Sequence, residues 1–96
     1  MQTTVVIQIG NSDDKLSQIE WSAYIHAVNS VIDKYADEIH FTGFSSPTVI
    51  WQNACWVVTL NTNVSTNLWA GLESLLGKFN QNNIAWTEGI TVFIDA

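Results

Sequence analysis

Apolar and polar positions along the chain follow two periods in turn. Thr4-Val5-Val6-Ile7-Gln8-Ile9 is a β-branched run closed by the turn formers Gly10-Asn11-Ser12-Asp13-Asp14, which predicts a first strand and its exit loop. The period then lengthens. Trp21, Tyr24, Ile25, Val28, Val31, Ile32 and Tyr35 recur at spacings of three and four, one apolar stripe over four helical turns, with Asn29, Asp33 and Asp37 on the other side. The start of this helix is marked by Ser17 and Glu20 at capping-box spacing, with Leu16 placed to staple onto Trp21. Ile39-His40-Phe41-Thr42-Gly43-Phe44 alternates as a second strand and is broken by Ser45-Ser46-Pro47. Trp51-Gln52-Asn53 leads into a third strand, Ala54-Cys55-Trp56-Val57-Val58-Thr59-Leu60. A second helix is expected from Ser65, with Val64 stapling onto Trp69 and Leu68, Leu72, Leu75, Leu76 and Phe79 as its stripe. Asn80-Gln81-Asn82-Asn83 ends it. Ile84-Ala85-Trp86-Thr87 starts a fourth strand, which a bend at Glu88-Gly89 splits from Ile90-Thr91-Val92-Phe93-Ile94.

The order β-α-β-β-α-β over residues 1–96 predicts a single α+β domain of ferredoxin-like fold, with two helices on one face of a four-stranded antiparallel sheet of order 4-1-3-2. The two helix starts echo each other, Leu16-Ser17 with Trp21 and Val64-Ser65 with Trp69, as two similar β-α-β halves would. Alternation assigns Val5, Ile7, Ile9, Phe41, Trp56, Val58 and Leu60 to the helix side. Val6, Phe44 and Val57 then lie on the open side among Thr4, Gln8, His40, Thr42 and Thr59. A half-apolar open face invites a second subunit, so a homodimer through this face or an edge strand is expected.

Composition narrows the function classes. The chain is 47% hydrophobic and only 12% charged, enough apolar surface for a core and too little charge for a disordered chain. Three lysines, no arginine and nine acids give a net charge of −6, which argues against nucleic acid as a partner, because phosphates are gripped by Lys and Arg. An acidic surface suits a basic protein partner instead. A single cysteine supports neither a disulfide framework nor a cysteine-rich zinc site. No apolar run reaches membrane-spanning length and no basic stretch feeds an apolar one near residue 1, so a soluble, intracellular protein is expected.

The predicted topology gathers three polar loops at one end of the sheet: residues 10–15, 45–53 and 80–83. The expected ligand- or partner-binding residues on this pole are Asn11, Asp13, Asp14, Trp51, Gln52, Asn53, Asn80 and Asn82. Turns and caps use the same residue types, so each also has a purely structural reading. Trp51 stands out, since an indole among amides can stack on a flat polar ligand or anchor a protein contact, although it can also plug the core. Asp13-Asp14 offers oxygen ligands for a divalent cation but lacks the spacing of a calcium loop, and acids there also complement a helix dipole. His26 and His40 lack zinc-site spacing, Cys55 reads as an inert strand thiol, and no phosphate loop or nucleophile elbow occurs. No catalytic residue and no cofactor are assigned.

The segments Ile9-Gly10-Asn11-Ser12-Asp13-Asp14-Lys15-Leu16, Trp51-Gln52-Asn53-Ala54-Cys55-Trp56 and Ile84-Ala85-Trp86 resemble small uncharacterised proteins of actinobacteria and their phages. Pro47-Thr48-Val49-Ile50 departs from that pattern, in which Pro directly precedes the Trp. The resemblance implies a bacterial or phage-infected cytoplasm. The expected function is a small acidic interaction protein, an adaptor or inhibitor of immunity or phage counter-defence type. A binder of a flat polar small molecule is the alternative, and a metal-dependent hydrolase using Asp13 or Asp14 is the second.

Overall fold

The structure, a computed structural model, describes residues 1–46 and 49–96. Pro47 and Thr48, expected in the break after the second strand, lie outside the described residues. The strands are β1 (Gln2–Gly10), β2 (Glu38–Phe44), β3 (Asn53–Asn61) and β4 (Ala85–Gly89), and the helices are α1 (Gln18–Tyr35) and α2 (Ser65–Lys78). They form one antiparallel sheet in the order β2-β3-β1-β4, the expected ferredoxin-like arrangement. Among the described residues no helix is long and apolar enough to cross a membrane.

The core lies between the helices and one face of the sheet. Val5, Ile7 and Ile9 of β1 and Trp56, Val58 and Leu60 of β3 are buried against Trp21, Tyr24, Val28 and Ile32 of α1 and Leu68, Leu72 and Leu75 of α2. The helices pack tightly at Gly71, where a Cβ would lie 2.7 Å from Cγ1 of Val31. The capping box forms as its spacing predicts. The Glu20 amide donates to the Ser17 hydroxyl at 3.2 Å, and the Ser17 amide donates to the Glu20 carboxylate at 2.9 Å.

Four expectations are corrected. First, β2 carries a bulge at His40: Ile39 pairs with Val58, and Phe41 with Val57. One extra residue inverts the alternation that follows. Phe41 therefore faces the open side, its ring lying over Gly43, whereas Thr42 and Phe44 take the register of the helix side, opposite Trp56 and Ala54. Second, Trp69 is not a core staple. Ser65 already lies inside α2, no side chain caps that helix, and Trp69 is half exposed with its ring 5.2 Å from that of Trp86. Third, Asn29 is not on a wholly solvated face, because it is half-buried and accepts a hydrogen bond from Trp56. Fourth, residues 90–94 do not continue the sheet. Gly89 pairs with Thr4, which leaves only Thr3 and Gln2 of β1 as template.

Candidate functional site

The exit of β1, the approach to β3 and the start of β4 meet at one end of the sheet. They enclose a shallow cleft of about 320 Å³, lined by Gln8, Asn11, Trp51, Gln52, Asn53, Asn83 and Ala85, among others. Of the eight residues expected at this pole, four line the cleft. The others do not.

Asn11 and Gln52 line the cleft as structural groups. Asn11 is 1% exposed. Its carboxamide donates to the Leu16 carbonyl and accepts from the Leu16 amide, both at 2.9 Å, and its own amide donates to the Gln52 carbonyl at 2.9 Å. It ties the β1 exit to the start of α1, and its side chain is not available to a partner. Gln52 is also buried, and it exchanges amide hydrogen bonds with Gln18 at 2.8 and 3.3 Å. Asn80 ends α2. It takes the left-handed conformation at φ 53°, its amide donates to the Gly77 carbonyl at 3.4 Å, and the Gln81 amide donates to Leu76 at 2.9 Å. That is a Schellman stop with Asn in the usual glycine place. Asn82 lies elsewhere, in a groove of about 170 Å³ between α2 and β4 that Trp69 and Trp86 line.

Trp51, Asn53, Asp13 and Asp14 are exposed at the pole. Trp51 is not a core plug: it is 55% exposed, at φ 64°. Its carbonyl accepts from Nδ2 of Asn53 at 2.7 Å, and the Asn53 amide donates to the Ser45 hydroxyl at 2.9 Å. A left-handed residue with a bulky side chain costs about 1–2 kcal/mol, and the bond from Asn53 to its carbonyl supports residue 51 in that disfavoured backbone conformation. Val49 and Ile50 precede it, also exposed, so an apolar ridge leads up to the cleft-lining Trp51. Sequence patterning gave no weight to these two. Asp13 and Asp14 sit in a short turn with φ near 50°, and Asn11 links Asp14 to this cluster by a 3.3 Å bond. Among the described residues no group of three His, Cys, Asp or Glu side chains could hold a metal.

The open face is the second surface. Val6, Gln8, Cys55, Val57 and Thr59 lie on it with Phe41 and His40, whose ring nitrogen is 2.6 Å from the Thr59 hydroxyl. Cys55 is half-buried there rather than enclosed in the core. A recess of about 270 Å³ lies beside Phe41, Gly43, Asn53 and Cys55. A cleft of about 460 Å³ lies at the other end, beside Thr4, His40, Val57 and Thr59.

Fold and surfaces together define a ferredoxin-like α+β domain with an open sheet face and an apolar ridge at one pole. No protein-family model matches the sequence, and no curated protein is similar to it. Solved structures share the fold. The de novo designed protein Foldit4 superposes with a TM-score of 0.65 at 7% identity, over 96% of this chain and 100% of its own. A dimeric ferredoxin-like protein of unknown function from Bacteroides fragilis gives 0.61 at 10% identity, over 94% and 96%. A dimeric ferredoxin-like protein of unknown function from Thermobifida fusca gives 0.60 at 8%, over 94% and 92%.

Proposed function

We propose that the protein is a non-catalytic interaction protein that binds a basic protein partner at the loop pole. The observation that carries this reading is the ridge Val49-Ile50-Trp51, three consecutive exposed apolar residues, the last of them on a left-handed backbone. Interface cores are built from such aromatic anchors, and charged residues form their rims. Asp13 and Asp14 supply a negative rim, and the net charge of −6 favours encounter with a basic surface. An adaptor or inhibitor of immunity or phage counter-defence type, working in a bacterial cytoplasm, fits this design.

Association with a second copy through the open sheet face is part of the same reading. Two structural neighbours are described as dimeric, and Val6, Phe41 and Val57 give that face an apolar centre.

The test is capture of a partner from a bacterial lysate on immobilised protein, run in parallel with Trp51→Ala. A protein retained by the parent and lost from the variant, with retention falling as salt rises, supports the reading. Equal retention by both overturns it. The alternative, a flat polar ligand in the 320 Å³ cleft, is favoured by Trp51 beside the Asn53 carboxamide. It requires a small molecule carried through native mass spectrometry by the parent and not by Trp51→Ala.

A further inference from the structure

Residues 90–94 read Ile-Thr-Val-Phe-Ile, a run of strand formers, yet they lie in no strand. Ile90, Val92, Phe93 and Ile94 are each at least 80% exposed. Exposed unpaired segments of this composition associate with other chains unless a native partner takes them up.

The chain is steered onto the open face where the segment begins. The Thr3 hydroxyl donates to the Gly89 carbonyl at 3.1 Å, and the hydroxyls of Thr4 and Thr91 share a hydrogen bond. Thr4 lies on the open face with Val6 and Gln8. From there the segment stands off the sheet and forms one wall of the 460 Å³ cleft, with Thr91 and Phe93 facing Thr4, His40, Val57 and Thr59. This chain leaves that space open.

We propose that residues 90–94 form an arm that binds a second copy of this chain. The two open faces stack about a two-fold axis, and each arm closes over the sheet of its partner, burying its four apolar side chains between the copies. The inference rests on the homodimer reading above and names the element that makes the dimer stable. Charge selects this face. Glu38 lies on the open face and Asp37 reaches its edge through a bond from Gln2, whereas Glu88 takes the helix-side register opposite Val5, and the arm residues 90–94 carry no acid. For a molecule of net charge −6, two copies that meet through the centre of this face bring few acids together. Area agrees. Covering four side chains of this size on both copies removes on the order of 1,000 Å², about the threshold for a specific interface, before the sheets themselves are counted. A closed two-fold pair also uses up both arms, as an open filament would not.

Cys55, the one cysteine, lies on the same face and reports on it without any engineered label. Sedimentation of the parent protein is expected to show a dimer, with Cys55 alkylation at least about tenfold slower in the dimer than after dilution to monomer. The double variant Val92→Asp/Ile94→Asp alters exposed positions outside every strand and helix. It is expected to be a folded monomer by circular dichroism, with fast alkylation at all concentrations. Hydrogen exchange on the parent gives an independent reading, because the amides of 90–94 must be protected in the dimer and exchange freely in the monomer. A parent that stays monomeric overturns both the dimer and the arm. A variant that stays dimeric, or an arm that is unprotected in the dimer or protected in the monomer, overturns the arm alone.

Discussion

Nε1 of Trp56 donates to the side-chain carbonyl of Asn29 at 3.0 Å, and this bond ties the middle of α1 to the centre of the sheet. Trp56 is fully buried, so its donor has no water to turn to. Asn29→Ala is therefore expected to cost about 1–3 kcal/mol, the penalty for an orphaned buried donor. In a Trp56→Phe background the same change should cost much less. Urea unfolding of the four proteins checks this, and an unchanged cost in both backgrounds would deny the bond a stabilising role.

Tyr24 presents the opposite case. Among the described residues its hydroxyl has no hydrogen-bond partner, buried as it is among the rings of Trp21 and Phe79. Tyr24→Phe removes an unsatisfied group and keeps the ring, so stability is expected to hold or rise, by up to about 1–3 kcal/mol. Burial also pushes the phenol up to about 12 from its ordinary 10. The folded state thus holds its proton more tightly than the unfolded one. Stability from this group is complete below pH 10 and falls between pH 10 and 12, by about 1.4 kcal/mol per unit. Tyr24→Phe should flatten that alkaline decline in a melting-temperature series, and an unchanged slope would assign it to other groups.

The fold was legible in the sequence because nearly every element follows a single period over its whole length. The stripe from Trp21 to Tyr35 and the alternation through Trp56, Val58 and Leu60 both bury the residues they predict. What was not legible depends on neighbours in space. The bulge at His40 leaves no local mark, and one extra residue moved Phe41 to the open face. Residues 90–94 have strand composition, but a strand needs a template, and β1 supplies only two more residues. At the pole, residue type told turn chemistry from binding chemistry poorly. Asn11, Gln52 and Asn80 satisfy backbone or buried amide groups, whereas Trp51 stands outside. Trp69 shows the same limit, since staple spacing placed it inside while α2 starts too early for that role.

Ser17 offers a prediction at acid pH. Its backbone amide, and then its hydroxyl, hold the Glu20 carboxyl below its ordinary value. The folded state thus prefers the ionised carboxylate. The resulting stability is present above the ordinary glutamate range and is lost as pH falls through the lowered value. Ser17→Ala removes the hydroxyl half of the capping box and is expected to cost about 1 kcal/mol at neutral pH. The difference between parent and variant should narrow in acid. A gap that stays constant down to full protonation would assign the loss to the hydroxyl alone.

Trp51 and Trp56 provide the matched comparison that separates surface from core. Trp56→Ala empties a fully buried site and is expected to cost about 3–5 kcal/mol. Trp51→Ala removes a half-exposed indole and should change stability little, while weakening partner binding by about 2 kcal/mol or more. Backbone conformation adds a sharper test. Residue 51 sits at φ 64°, where any residue with a Cβ is disfavoured and glycine is not. Trp51→Gly should therefore be more stable than Trp51→Ala by about 1 kcal/mol. Both should lose binding equally, because neither keeps the indole. Chemical unfolding and titration of the captured partner measure the two effects separately. If Trp51→Ala unfolded as readily as Trp56→Ala, the ridge would be a support of the fold, and the pole would lose its claim as the binding surface.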